Sequence, residues 1–285
     1  MVNFILYSPK AASGAAAREA ERLREKYESA KLVDVETVHD YGAFFDSLGE
    51  ADRVILIGGD GTLHHFANAV REIELKNKIL YHPFGTGNDF AHDIGAKCGD
   101  DVEITKYLRD LPRVTVKGKT KVFINNVGFG IDGYCTERGD EIRERQETSG
   151  RRRRVNYTLI ALRGLLFAYK VRNAEVTVDG VTREFHRVWL ASCTKGRYFG
   201  GGMKASPTQD RSSADGEVST IIFHGLGKLH ALILFPTMVT GRHLKYEKYI
   251  KVIKGHRVKV KFDRPTPLQT DGETVRDVTE YSIEA

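Results

Sequence analysis

Cysteine is scarce in this chain of 285 residues, with only Cys98, Cys135 and Cys193 present. They are odd in number and far apart, which fits neither a disulfide framework nor a zinc-ligand spacing, so a reducing cytoplasm is the expectation. Long apolar runs are also missing. The richest, Tyr157 to Tyr169, is shorter than the ~18 residues that span a bilayer and is broken by Arg163. The opening MVNFILYSPK has neither the charged start nor the apolar core of a secretory signal. The chain therefore reads as soluble, with no transmembrane segment. No internal repeat and no low-complexity linker is visible. There is no G-x-x-x-x-G-K-[ST], which excludes a Walker-type nucleotidase. There is no H-E-x-x-H, so His64, His65, His82 and His92 read as surface or cleft histidines rather than metal ligands.

Basic residues outnumber acidic ones, 44 to 38, for a formal charge of +6. Such a balance suits nucleic acid, nucleotides or an anionic membrane and separates none of them. No recurring aromatic-plus-basic pattern accompanies it, which argues against nucleic acid as a partner. The densest run, Arg151-Arg152-Arg153-Arg154, follows the mixed-charge stretch Glu137 to Glu147. It reads either as a solvated face or as a patch turned toward an anionic membrane.

The first part of the chain alternates short apolar runs with helix-like stretches. Strands are expected at Phe4–Tyr7, Val33–Val38, Val54–Ile57 and Ile79–His82. Helices are expected at 15–28 and 41–48, after Thr62 as N-cap, and from Asn88. Val54-Ile55-Leu56-Ile57 is continuously apolar, as in a strand covered on both faces. The alternation predicts an α/β domain with a doubly wound, mainly parallel sheet. From about Val114 strand-like runs dominate, at 121–127, 174–178, 183–192, 218–223 and 257–262. Asp179-Gly180 marks a hairpin, and 157–169 and 229–240 are candidate helices. The expected division is residues 1–118, a β-rich sandwich-like domain over 119–266, and a C-terminal segment, 267–285.

The strongest local signal is Gly58-Gly59-Asp60-Gly61-Thr62, where a buried strand gives way to an amphipathic helix. Glycines there let a ligand approach the backbone, and the first helical N–H groups can receive anions. An acid inside such a loop repels phosphate unless a Mg²⁺ lies between them; it could also bind ligand hydroxyls, or simply cap a tight turn. Gly85-Thr86-Gly87-Asn88-Asp89-Phe90 repeats the arrangement, and two such loops at strand ends converge where open α/β sheets bind ligands. Ser8-Pro9-Lys10-Ala11-Ala12-Ser13-Gly14 is a third candidate. Gly128-Phe129-Gly130-Ile131-Asp132-Gly133 fits the dinucleotide fingerprint, but the charged sequence after it is expected not to form the helix and second strand that a nicotinamide site needs. Asp271-Gly272-Glu273, on local grounds, is a hairpin turn.

Taken together these pieces resemble the bacterial diacylglycerol kinase family, which is similar to sphingosine and ceramide kinases. The resemblance spans nearly the whole chain. It runs through Gly58–Thr62, Gly85–Ala91, Asn126–Asp132, Tyr198-Phe199-Gly200-Gly201-Gly202-Met203-Lys204, Asp215-Gly216 and Gln269-Thr270-Asp271-Gly272-Glu273. It implies an N-terminal ATP-binding α/β domain, a C-terminal β-sandwich and an active site between them. It places ATP against Ser8, Lys10, Ser13, Gly14, Gly58, Gly59, Asp60, Gly61, Thr62, Gly85, Thr86, Gly87 and Asn88. It associates Asp60 and Asp89 with Mg²⁺-ATP and catalysis, Asp215 with a structural Mg²⁺, and Glu273 with the general base on a lipid hydroxyl. Ser8 stands where relatives commonly carry Asn, His64-His65 lacks their carboxylate, and Ser219 replaces an Asp after Asp215-Gly216. The function implied is ATP-dependent phosphorylation of a lipid alcohol, diacylglycerol by default, by a cytoplasmic protein at the inner face of the membrane. NAD kinase and a non-catalytic lipid or nucleotide sensor are the alternatives. Monomer or homodimer is left open.

Overall fold

The structure, a computed structural model, describes residues 1–9, 14–149 and 155–285. Two compact units divide at Leu111/Pro112. The first holds β1 (Asn3–Tyr7), α1 (Ala15–Lys26), β2 (Ala30–Asp34), α2 (Tyr41–Asp46), β3 (Arg53–Gly58), α3 (Asp60–Val70), β4 (Lys78–Pro83), α4 (Asp89–Asp93) and β5 (Val102–Glu103). The strands run in the order β2-β1-β3-β4-β5, parallel except for β5. Alternate strand residues face opposite sides. Ile55 and Ile57 pack with Ile5 and with Ala16, Ala20 and Leu23 of α1, while Val54 and Leu56 are fully buried on the other side. That is why this run carries no alternation in its sequence.

Three sequence expectations shift here. The second strand ends at Asp34, not Val38, because the Asp34 carboxylate accepts from Glu36 N and its carbonyl accepts from Thr37 Oγ1, winding 35–37 into a 3₁₀ turn. Helix α3 starts at Asp60 behind Gly59, so Thr62 sits inside the first turn and does not cap it. His82 is fully buried, with Nδ1 2.7 Å from Asp101 Oδ1 and Nε2 3.0 Å from Glu19 Oε1. It thus ties α1, β4 and the segment before β5 together.

The second unit contains β6 (Arg113–Val116), β7 (Lys119–Val122), β8 (Asn126–Gly130), α5 (Ile131–Ser149), α6 (Tyr157–Arg163), β9 (Arg172–Val178), β10 (Val181–Val188), β11 (Leu190–Thr194), β12 (Val218–Phe223), α7 (Lys228–Leu234), β13 (Ile250–Gly255), β14 (Arg257–Thr270) and β15 (Glu273–Glu284). Every pairing is antiparallel, in the order β13-β12-β11-β8-β14-β15-β6-β7, with β9 joining β10 to β14. Strand β14 changes partner along its length. Val258–Phe262 pair with β9, Leu268–Thr270 with β8, and the β15 register shifts between Lys261 and Leu268. This folds the sheet over a core in which Phe129 lies 4.7 Å from Phe262 and 5.1 Å from Tyr281. The result is an α/β unit followed by a β-sandwich-like one. The sheet takes in residues 112–118 through β6, which pairs with β15, and residues 267–285 through the β14–β15 hairpin. Asp179 and Gly180, at φ 48° and 85°, turn the expected hairpin between β9 and β10. The run Arg151–Arg154 lies outside the described residues.

Burial alone would raise the Asp101 carboxyl, but hydrogen bonds from His82, Lys26 and Tyr27 outweigh it and hold it well below the usual carboxylate range. A depressed pKa contributes stability that is complete above the unfolded value, near 4 for Asp, and lost as pH falls through the folded value. Below pH 4, Tm should therefore fall more steeply for the wild type than for Asp101→Asn. Parallel slopes in a pH series of melting curves would show that Asp101 carries no such linkage.

Candidate functional site

In a parallel sheet the strand C-termini share one edge, so the loops after β1, β3 and β4 emerge together. The last two touch along their backbones. A Cβ on Gly85 would lie 2.5 Å from Gly59 Cα, and one on Gly59 would lie 3.0 Å from Gly85 Cα. No side chain fits between them, which is a physical reason for glycine at both places. Phe84 N donates to Gly58 O at 2.8 Å. Asn88 clamps its own loop, its Oδ1 accepting from Gly85 N and its Nδ2 donating to Gly85 O, both at 3.0 Å. It sits in the left-handed region at φ 51°, which Asn tolerates.

Asp60 completes the join. Its two carboxylate oxygens accept from Asp89 N and Phe90 N, each at 2.9 Å. The acid in the first glycine loop thus caps the helix that follows the second. Tyr81, fully buried beneath, is held neutral by burial and by the Asp60 charge, its phenol pushed well above the usual value. Gly58 to Thr62 and Gly85 to Asp89 therefore form one platform. Ser8 follows β1, and Gly14 opens α1 at φ 86°. Lys10 and Ser13 lie outside the described residues.

Within the second unit a different carboxylate organises the backbone. Asp271, in the β14–β15 turn, accepts from Ile124 N, Asn125 N and Asn126 N at 2.7, 2.8 and 2.9 Å. Those bonds divert the chain at 123–125, so the strand expected over 121–127 is broken into β7 and β8. Gln269 Nε2 and Asn126 Nδ2 both donate to Asp132 Oδ2, at 2.7 and 3.0 Å. Asp132 lies in the first turn of α5, so the charged sequence after Gly128–Gly133 is a 19-residue helix after all. The fingerprint reading still fails, because β8 lies between antiparallel neighbours and starts no βαβ unit. Glu273 opens β15 directly after the turn, exposed, with Asp271 and Gly272 at φ 46° and 93°. The hairpin that local sequence indicates is present, and the resemblance concerns the residue just beyond it.

The surroundings of Asp215 do not fit the structural Mg²⁺ that the resemblance implies. Its side chain is 64% exposed and lies beside His256, Oδ1 to Nε2 3.3 Å. The Gly216 carbonyl accepts from the buried Lys195 Nζ at 2.7 Å. Ser219 donates to Gln209 Oε1. Next to this, buried Arg211 donates from Nη1 to Ile124 O and from Nη2 to Asn125 Oδ1. Lys195 and Arg211 supply positive charge to this region, a role that no spacing in the sequence indicated. Melting of the nucleotide-free protein should be the same in EDTA and in excess Mg²⁺. Lys195→Met, which strips the Gly216 carbonyl of its donor, should cost about 1–3 kcal/mol in a denaturant titration. A Tm raised by Mg²⁺ alone would restore the metal site.

Comparison with known proteins agrees with this geometry. Residues 3–117 match the diacylglycerol kinase catalytic domain, and residues 125–282 match the YegS C-terminal NAD kinase beta sandwich-like domain. A candidate lipid kinase of Bacillus subtilis, YtlR, is 28% identical over 232 residues, covering 78% of this chain and 74% of its own. A diacylglycerol kinase of the same organism is 26% identical, covering 80% and 73%. The crystal structure of a candidate diacylglycerol kinase from Bacillus anthracis covers 99% of this chain and 91% of its own, with a TM-score of 0.71 at 19% identity, a likeness of fold. With the first unit matched by the diacylglycerol kinase catalytic model and more than half of the chain by the YegS C-terminal model, the chain belongs to the diacylglycerol kinase and YegS family of lipid kinases.

Proposed function

We propose that this protein transfers the γ-phosphoryl group of ATP to the free hydroxyl of diacylglycerol, giving phosphatidic acid and ADP, and that it meets its lipid at the inner face of the membrane. The observation that carries the reading is the joined pair of glycine loops. They set the first turn of α3, whose N-terminus has no side-chain cap, beside a crossing that carries no Cβ, which suits polyphosphate. Gly58, Gly59, Gly61, Thr62, Gly85, Thr86, Gly87 and Asn88 would line the phosphates, with Ser8, Lys10, Ser13 and Gly14 along the first loop.

Asp60 and Asp89 would hold Mg²⁺. The chemistry of the donor set fits it: Asp60 is oriented by two amide bonds, Asp89 is a second carboxylate next to it in the joined loops, and Mg²⁺ commonly takes one or two carboxylates plus substrate phosphates. The ion would neutralise charge that develops on the phosphoryl oxygens. Phosphoryl transfer needs little else beyond positioning and a carboxylate to take the hydroxyl proton. Glu273 is that carboxylate in our reading.

A coupled ADP assay with diacylglycerol, other lipid alcohols and NAD tests the assignment. Turnover is expected with diacylglycerol in mixed micelles. Turnover with NAD alone would make the protein an NAD kinase, and ATP binding without turnover on any acceptor would make it a sensor. Glu273→Gln should lower kcat by about 10²–10⁴-fold, since an amide keeps the shape but cannot take the proton. ATP affinity should hold. A loss under about threefold would remove Glu273 from the chemistry.

A further inference from the structure

The exposed large apolar side chains of this protein are gathered in one region. Of the ten exposed among the described residues, all but Met1 and Val181 lie in two stretches, 157–167 and 229–246. Leu159, Leu162 and Phe167 project from α6 and the π turn Gly164–Ala168 that continues it. They are 61%, 41% and 77% exposed. Leu229, Ile233 and Val239, at 71%, 67% and 56%, project from α7 and the 3₁₀ turn Phe235–Thr240 that extends it. The two segments are neighbours: Ile160, Leu165, Ala231, Leu234 and Met238, their inward residues, share one buried cluster with Trp189 and Phe223. The outward residues recur at helical spacing, 159 with 162 and 229 with 233. Both segments are thus apolar on both faces, and only one face is covered.

Within the two stretches of chain that carry these residues the charges are all of one sign, and the acids that reach them, Asp140 near Tyr157 and Asp263 near Tyr169, come from other elements. No Asp or Glu occurs from Val155 to Ala174 or from His224 to Tyr246, in a chain that carries 38 of them. Exposed Arg163, Lys170, Lys228, Arg242 and Lys245 lie within the two stretches. A helix with an apolar outer face and basic flanks is the composition that lies in a bilayer interface, where apolar groups enter the acyl boundary and cations meet anionic headgroups. A protein partner would need apolar complementarity alone; the absence of acids adds attraction to a negative surface. We infer that α6 and α7, with the turns that extend them, form a docking face for an anionic lipid bilayer. The inference rests on the lipid-kinase reading only for its purpose. Docking itself needs neither ATP nor the glycine loops, and it does not involve Arg151–Arg154.

The experiment is co-sedimentation of the full chain, without nucleotide, with vesicles of phosphatidylcholine alone and of phosphatidylcholine with phosphatidylglycerol in equal parts. Binding is expected to the anionic vesicles and to weaken with added salt. Phe167→Ser combined with Ile233→Ser should reduce it by about tenfold or more. Lys228→Gln combined with Lys245→Gln should reduce it at low salt and remove most of its salt dependence. All four residues are exposed, so melting should stay near wild type and a loss of binding is not a loss of fold. Phosphorylation of a short-chain diacylglycerol dispersed as monomers should be unchanged in both variants. Wild-type vesicle binding in both variants overturns the docking face even if the enzyme phosphorylates lipids. Docking without lipid phosphorylation leaves the face in place and removes the kinase reading. A dimer in the absence of vesicles that Phe167→Ser with Ile233→Ser dissociates would assign the face to a second copy and overturn the inference.

Discussion

Two strand-to-helix turns can lie backbone against backbone only if neither carries a Cβ at the crossing. Gly59 and Gly85 meet that condition, with less than a van der Waals contact left for any added carbon. The rest of the first unit follows from it. Because the turns touch, the Asp60 carboxylate reaches the first amides of α4 and caps a helix of five residues too short to hold itself. Because α4 is capped from the neighbouring loop, the Gly85–Asn88 segment closes on its own side chain instead of on bulky neighbours. Because β3 is buried on both faces, the turns are fixed to a rigid base. His82 extends the same logic to α1, whose N-terminus follows the third loop.

The second unit is built around an analogous device of different chemistry. Asp271 collects three successive amides, and Asp132 collects two side-chain amides. These carboxylates bend backbone that would otherwise continue as strand. Lys195 and Arg211 donate to carbonyl oxygens nearby, so both signs of hydrogen-bonding need are met inside the protein. A buried ammonium that already serves the Gly216 carbonyl leaves Asp215 turned to solvent.

The α/β half was legible because its signals are local. A continuous apolar tetrad, glycines at strand ends and a helical i, i+3, i+4, i+7 pattern each report on adjacent residues. Asp179-Gly180 was legible for the same reason. Helix α5 was not, because its second half is exposed and charged, held by i, i+3 pairs such as Arg143–Asp140 and Arg138–Glu141, and such a stretch has no apolar period to read. Asp271 offered only a turn, since the amides it binds lie about 145 residues away in the chain. Lys195 and Arg211 were hidden in the same way, since the carbonyls they serve lie 21 and 87 residues away. The resemblance to a family pointed to Asp60 and Glu273 without saying that the neighbouring carboxylates, Asp271 above all, hold the backbone in place.

The joined loops are the centre of this account, and amide hydrogen exchange of the wild-type protein tests them directly. With no nucleotide present, the amides of Asp89 and Phe90 should already be protected, because Asp60 holds them, while Gly61 and Thr62 should gain protection only when ATP and Mg²⁺ are added. Exchange of Asp89 and Phe90 at unprotected rates until nucleotide arrives would contradict a preformed platform and leave the two loops as separate, ligand-ordered turns.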